Sequence, residues 1–80
     1  MVTQITEVPI DTPEKLGEAL RVQRVLQGLD LDALAAKSGI SRQAISRIEK
    51  GNPNARIATV LAVMRALGIP LPTMLTSKEV

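Results

Sequence analysis

Apolar side chains recur at helical spacing along most of this 80-residue chain, and glycine or proline punctuates each recurrence. Thr12 and Pro13 open a first helix as cap and first-turn residue, and Glu14 suits the positive end of its dipole. Leu16, Ala19, Leu20 and then Val22 or Gln23 set its buried side. This helix is expected to run to about Gln27 and end at Gly28. Asp30 caps a second helix, with Leu29 and Leu34 as a hydrophobic staple and Leu31, Leu34 and Ala35 as the apolar stripe. Gly39 stops it, because the residue past a helix end usually turns left-handed and glycine does so cheaply. Ser41 caps a third helix, Ile40 and Ile45 repeat the staple, and Gly51 ends it after Lys50. Only Gly39 and Ile40 separate Ser38 from the Ser41 cap, so these two helices must cross steeply. Ala35 suits that crossing, since a larger side chain would push the helices apart.

Residues 52–55, NPNA, read as a turn, with Asn54 capping a fourth helix from about Ala55 to Leu67. Ile57, Val60, Leu61, Met64 and Leu67 are expected to be buried, and Ala62 and Val63 widen the stripe. So apolar a helix usually touches more than one neighbour, which makes it a candidate dimer contact. Gly68 ends it, Pro70 prevents continuation, and Leu71–Leu75 reads as a last helical turn with Pro72 near its start. The domain then spans residues 12–75, between an arm at 1–11 and a loose tail at 76–80. The arm carries Ile5, Val8, Pro9 and Ile10. It suits either a frayed, flexible tail or a short strand that pairs with its copy in a dimer.

The third helix has two faces. Ala44, Ile45 and Ile48 fall on the side expected to be buried, and Arg42, Gln43, Ser46, Arg47 and Lys50 fall on the other. Arginine can donate a bidentate pair to guanine, and glutamine can pair with adenine. Serine and lysine more often hold phosphates. Basic exposed helices are common as merely solvated faces, but the ordered set Leu34, Ala35, Gly39, Ser41, Ile45, Ile48 favours the layout of a helix-turn-helix.

The net charge of +2 says little, yet its distribution is uneven. Up to Ala36, Lys15, Arg21 and Arg24 are outnumbered by Glu7, Asp11, Glu14, Glu18, Asp30 and Asp32. From Lys37 to Arg65, Lys37, Arg42, Arg47, Lys50, Arg56 and Arg65 face only Glu49. A basic half that holds the proposed recognition helix is what an electrostatic footprint for phosphate looks like.

Phe, Tyr and Trp are absent, so the core must be aliphatic, and a core of this size gives modest stability. Dimerisation would bury more. Without cysteine, disulfides and thiolate metal sites are excluded, and without histidine the commonest general base and metal ligand is missing. No paired-carboxylate or phosphate-loop spacing occurs, so no catalytic residue, metal or cofactor is expected. The apolar runs are too short for a membrane span and no signal peptide is apparent, which makes a cytoplasmic protein the expectation.

The stretches LGEALRVQR, GLDLDALAAKSGISRQAISRIEKG and LAVMRALGI resemble the Cro/C1-type (XRE) helix-turn-helix regulators of bacteria and phages. The resemblance runs from Leu16 to Leu75. It implies an all-α, five-helix, lambda-repressor-like DNA-binding domain with the helix-turn-helix at its second and third helices. Within that family, Thr12 to Leu71 is most similar to the HipB-like antitoxins, which implies repression of its own operon and a kinase-like toxin as partner. By the resemblance, Arg42, Gln43 and Arg47 match base-reading positions. Ser41 and Ser46 match positions that touch phosphate or sugar, and Asn52, Asn54 and Arg56 lie where the loop and the following helix approach the DNA backbone; Lys50 is expected at the backbone from its side-chain chemistry instead. Arg24 and Glu49 match an ion pair that ties the first helix to the third. One departure stands out: Leu31 occupies the first position of the second helix, where the family often has a phosphate-binding glutamine.

The expected function is thus a homodimeric repressor that reads a palindromic operator in double-stranded DNA. The alternative is a protein–protein interaction module, antitoxin or adaptor, with weak or no DNA binding.

Overall fold

A computed structural model describes residues 9–73 of the chain. They form four helices: α1 (Pro13–Leu26), α2 (Leu31–Ser38), α3 (Arg42–Glu49) and α4 (Ile57–Ala66). Side chains cap the first three. Thr12 Oγ1 accepts from the Lys15 N–H at 3.1 Å, Asp30 Oδ1 from Ala33 at 2.7 Å, and Ser41 Oγ from Ala44 at 3.2 Å. Between α2 and α3, Gly39 takes φ 74° and ψ 10°, the left-handed conformation that lets the chain reverse within two residues.

Leu20 of α1, Leu34 of α2, Ile45 and Ile48 of α3, and Val63 and Leu67 around the end of α4 form the buried core. Leu31, Ala35 and Ile40 pack half-buried against it. α3 lies against both α1 and α2, and α2 also meets α4. The ends of α1 and α4 are tied by Gln27, whose Nε2 donates to the Leu67 carbonyl at 2.7 Å.

Gly17 sets the closeness of α1 to α3. A Cβ placed there would lie 2.3 Å from the Ile48 carbonyl oxygen and 2.7 Å from that of Glu49. No side chain can be accommodated without moving backbone, so the glycine lets the two helices touch at the end of α3.

The structure corrects several expectations. There are four helices among the described residues, not five: residues 71–73 are not helical, and the remainder of the expected last turn lies outside the described residues. Pro72 disfavours helical dihedrals at the residue before it, so no helix starts at Leu71. α4 begins at Ile57, not at Ala55, and its N-cap is Arg56, not Asn54. Asn52 explains the shift: its Oδ1 accepts from the Asn54 N–H at 3.0 Å, which commits Pro53 and Asn54 to a turn.

Ile57 is 76% exposed. The buried line on α4 runs through Val63 and Leu67, flanked by Val60 and Met64. At about 100° per residue Ile57 lies within about 20° of Met64, but it stands on the first turn of α4, short of the core and at the rim of a groove lined with Ile10, Pro13 and Val60. Val22 and Gln23 are also exposed, because α1 turns its Gly17–Leu20–Arg24 side inward instead. The strand considered for the arm falls mostly outside the described residues, and residues 9–11 have no regular structure.

Candidate nucleic-acid interface

The outer face of α3 is the most cationic helical surface of the domain. Ile45 and Ile48 are buried, which fixes the rotation of the helix and turns Arg42, Gln43, Arg47 and the following Lys50 to solvent. Ser46 is half-buried at the edge of this face. Ser41 precedes it as the cap, exposed, with its Oγ engaged as an acceptor from Ala44. The oxygen keeps its own proton, so the hydroxyl can still donate outward.

The turn after α3 continues the surface. The Lys50 N–H donates to the Ser46 carbonyl at 3.1 Å and the Asn52 N–H to that of Arg47 at 3.0 Å, which closes the helix end. Gly51 is buried at φ 89°, and its missing Cβ leaves room for Glu14, whose Cγ would otherwise be 2.9 Å away. Asn52 is half-buried and spends its Oδ1 on the turn, leaving its amide nitrogen as a donor. Asn54 and Arg56 are exposed, and Arg56 stands at the uncapped N-terminus of α4.

Behind this face, Arg24 of α1 meets Glu49 at the end of α3. Nε donates to Oε2 at 2.7 Å and Nη2 to Oε1 at 2.9 Å, while Nη1 donates to the Leu29 carbonyl at 2.9 Å. The side chains are only 13% and 8% exposed. The fork-to-fork geometry makes the pair directional as well as charged. The hydrogen bond with Glu49, against a smaller opposing effect of burial, raises the Arg24 pKa above its ordinary value. Arg24 thus joins three pieces: α1, the α1–α2 loop and the end of α3.

Leu31 packs against the core, so the family's glutamine position is filled by an inward-facing aliphatic group. Its neighbours Asp30 and Asp32 are exposed acids at the N-terminus of α2. Asp32 reaches across to α3, where its Oδ1 lies 3.6 Å from Nη1 of Arg42. Sequence reading missed this contact, because α2 and α3 are brought together by the Gly39 turn. It also missed Gly17, although a glycine inside a helix costs about 1 kcal/mol relative to alanine and so signals a close approach. No group of His, Cys, Asp or Glu suited to a metal occurs among the described residues, and none of their helices is long and apolar enough to cross a membrane.

Comparisons with known proteins agree with this layout. Residues 20–73 match the family described as helix-turn-helix. The chain is 39% identical over 59 residues to the uncharacterised HTH-type transcriptional regulator y4mF of Sinorhizobium fredii, covering 74% of this chain and 78% of that one. It is 31% identical over 67 residues to the control protein C.SmaI of Serratia marcescens, covering 84% and 80%. Among solved structures, it resembles HipB in a HipB–O4 20mer complex with a TM-score of 0.76 at 26% identity, covering 90% of this chain and all (100%) of that one. It also resembles the restriction-modification controller protein C.AhdI of Aeromonas hydrophila, with a TM-score of 0.67 at 33% identity, covering 72% and 88%. The two-helix unit turned at Gly39, its capped third helix and these matches agree: the chain belongs to the Cro/C1-type (XRE) helix-turn-helix family of transcriptional regulators.

Proposed function

We propose that the chain is a repressor that reads operator DNA by laying the outer face of α3 in the major groove. One observation carries this reading. α3 buries Ile45 and Ile48 while exposing Arg42, Gln43 and Arg47 on a helix held from behind by the Arg24–Glu49 pair. Side chains that must meet base edges need such a rigid support. Arg42, Gln43 and Arg47 are assigned to base edges. Ser41, Ser46, Lys50, Asn52, Asn54 and Arg56 are assigned to the phosphate backbone, Ser41 through its free proton and Asn52 through its amide nitrogen. A homodimer with recognition helices about 34 Å apart would read a palindrome. The likeness to HipB in complexes with 20mers supports the DNA reading. A repressor of this kind would act in the cytoplasm.

A gel-shift on the gene's own upstream region tests it. Arg42→Ala should cost roughly 1–3 kcal/mol of binding and relax specificity at one base pair. Equal binding by wild type and Arg42→Ala would remove the base-reading role.

A second reading, compatible with the first, makes the chain the autoregulating antitoxin of a HipA-like kinase toxin. It is supported by the likeness, at TM-score 0.74 and 28% identity, to a chain of the HipA–HipB–O2–O3 complex. Co-purification with the product of an adjacent gene is expected on this reading. Absence of any bound neighbour overturns it.

A further inference from the structure

Arg42 stands at the first position of α3, and no acidic residue occupies that helix's first turn. A cation at the positive end of a helix dipole is placed unfavourably. The compensating charge comes from another helix: Asp32, on the first turn of α2, with its Oδ1 at 3.6 Å from Arg42 Nη1. Both side chains are largely exposed, at 60% for Arg42 and 74% for Asp32, so the pair is weak and easily exchanged. Among the described residues no acid pairs with Arg47 or Lys50. Among the described residues, Arg42 alone of the proposed DNA-facing cations has an acid paired with it.

We infer that Asp32 sets specificity by restraining Arg42, an inference that rests on the DNA reading proposed above. On a random duplex, an unrestrained arginine gains by swinging onto the nearest phosphate. Such contacts add affinity without sequence information. Asp32 offers Arg42 a rival anion, so the phosphate contact gains less than it would for an unpaired arginine. A guanine edge offers two parallel hydrogen bonds, which the single long contact with Asp32 does not match. The acid therefore lowers non-specific binding more than operator binding. Specificity is this difference of affinities, and a built-in penalty on the wrong complex raises it.

The test uses the full chain, the duplex recovered by selection on wild type, and a random duplex of equal length. Asp32→Asn should tighten binding to the random duplex by about twofold to fivefold, the range open to an exposed charge pair. It should also steepen the salt dependence there by about one phosphate contact. Binding to the selected duplex should change less, so the ratio between the two falls. In an Arg42→Ala background, Asp32→Asn should leave the ratio unchanged. If Asp32→Asn shifts both duplexes equally, or acts the same with and without Arg42, Asp32 is a general repulsive charge and the inference fails. Arg47→Ala separates loss of DNA reading from loss of the Asp32 restraint. If wild type and Arg47→Ala both bind the selected duplex no better than the random one, the DNA reading itself fails and takes the inference with it. If Arg47→Ala lowers the preference but Asp32→Asn is silent, only the role of Asp32 is overturned.

Discussion

Replacing Arg24 with methionine removes the charge but keeps an apolar stem of similar length. Three hydrogen bonds vanish: two to Glu49 and one to the Leu29 carbonyl. The Glu49 carboxylate, 8% exposed, is left without its cation. Breaking a buried pair from one side costs about 3–5 kcal/mol. Arg24 retains some solvent contact, so the lower end, about 3 kcal/mol, is the expected cost. A domain of this length has a total stability of roughly 4–12 kcal/mol, so the loss is a large fraction of it. The midpoint of thermal unfolding should fall by roughly 15 °C. Far-ultraviolet circular dichroism is the appropriate probe, because the chain has no Phe, Tyr or Trp. Because the Arg24 pKa is raised, its stabilisation is present below the unfolded value and is lost only as pH climbs through the folded one. The cost should thus stay level across the neutral range. Adding Glu49→Leu to Arg24→Met should recover much of the loss, since an apolar pair of similar volume avoids the stranded charge. An Arg24→Met cost below about 0.5 kcal/mol, or a double variant no better than the single one, would refute the reasoning.

Other substitutions probe the helix contacts, the turn and the DNA-facing surface. Gly17→Ala at an ordinary helical position would stabilise by about 1 kcal/mol. Here the new methyl group meets the backbone of Ile48 and Glu49, so urea titration should show a net loss of about 1–2 kcal/mol. Gly39→Ala meets no neighbouring atoms but is forced to φ 74°, so it should cost about 1 kcal/mol through strain alone and leave the native fold intact by circular dichroism. Lys50→Ala should weaken binding to all DNA sequences alike and flatten the salt dependence by about one phosphate contact, measured by fluorescence anisotropy on labelled duplexes.

Local chemistry carried most of the helix-turn-helix in the sequence. Asp30, Gly39 and Ser41 act through neighbours within four residues, so their capping and turning roles could be read directly. Ile45 and Ile48 followed from helical spacing, and with them the exposure of Arg42, Gln43 and Arg47. What escaped depends on contacts across the chain. Ile57 has the right spacing but sits where no core forms beneath it. The start of α4 was misplaced because Asn52, not Asn54, supplies the side chain that organises the turn. Gly17 and the Asp32–Arg42 contact exist only once α1, α2 and α3 are packed together. Arg24 and Glu49 lie 25 residues apart. Nothing in their local patterns points one to the other, and only the family resemblance paired them in advance.

Everything proposed for this chain turns on whether the exposed face of α3 reads base edges. Selection from a random DNA library, run in parallel on wild type and Arg47→Ala, tests it most directly. Wild type should enrich a palindromic motif, and Arg47→Ala should lose information at one symmetry-related pair of positions while keeping the rest. An identical motif from both proteins, or no enriched motif from wild type, would contradict it.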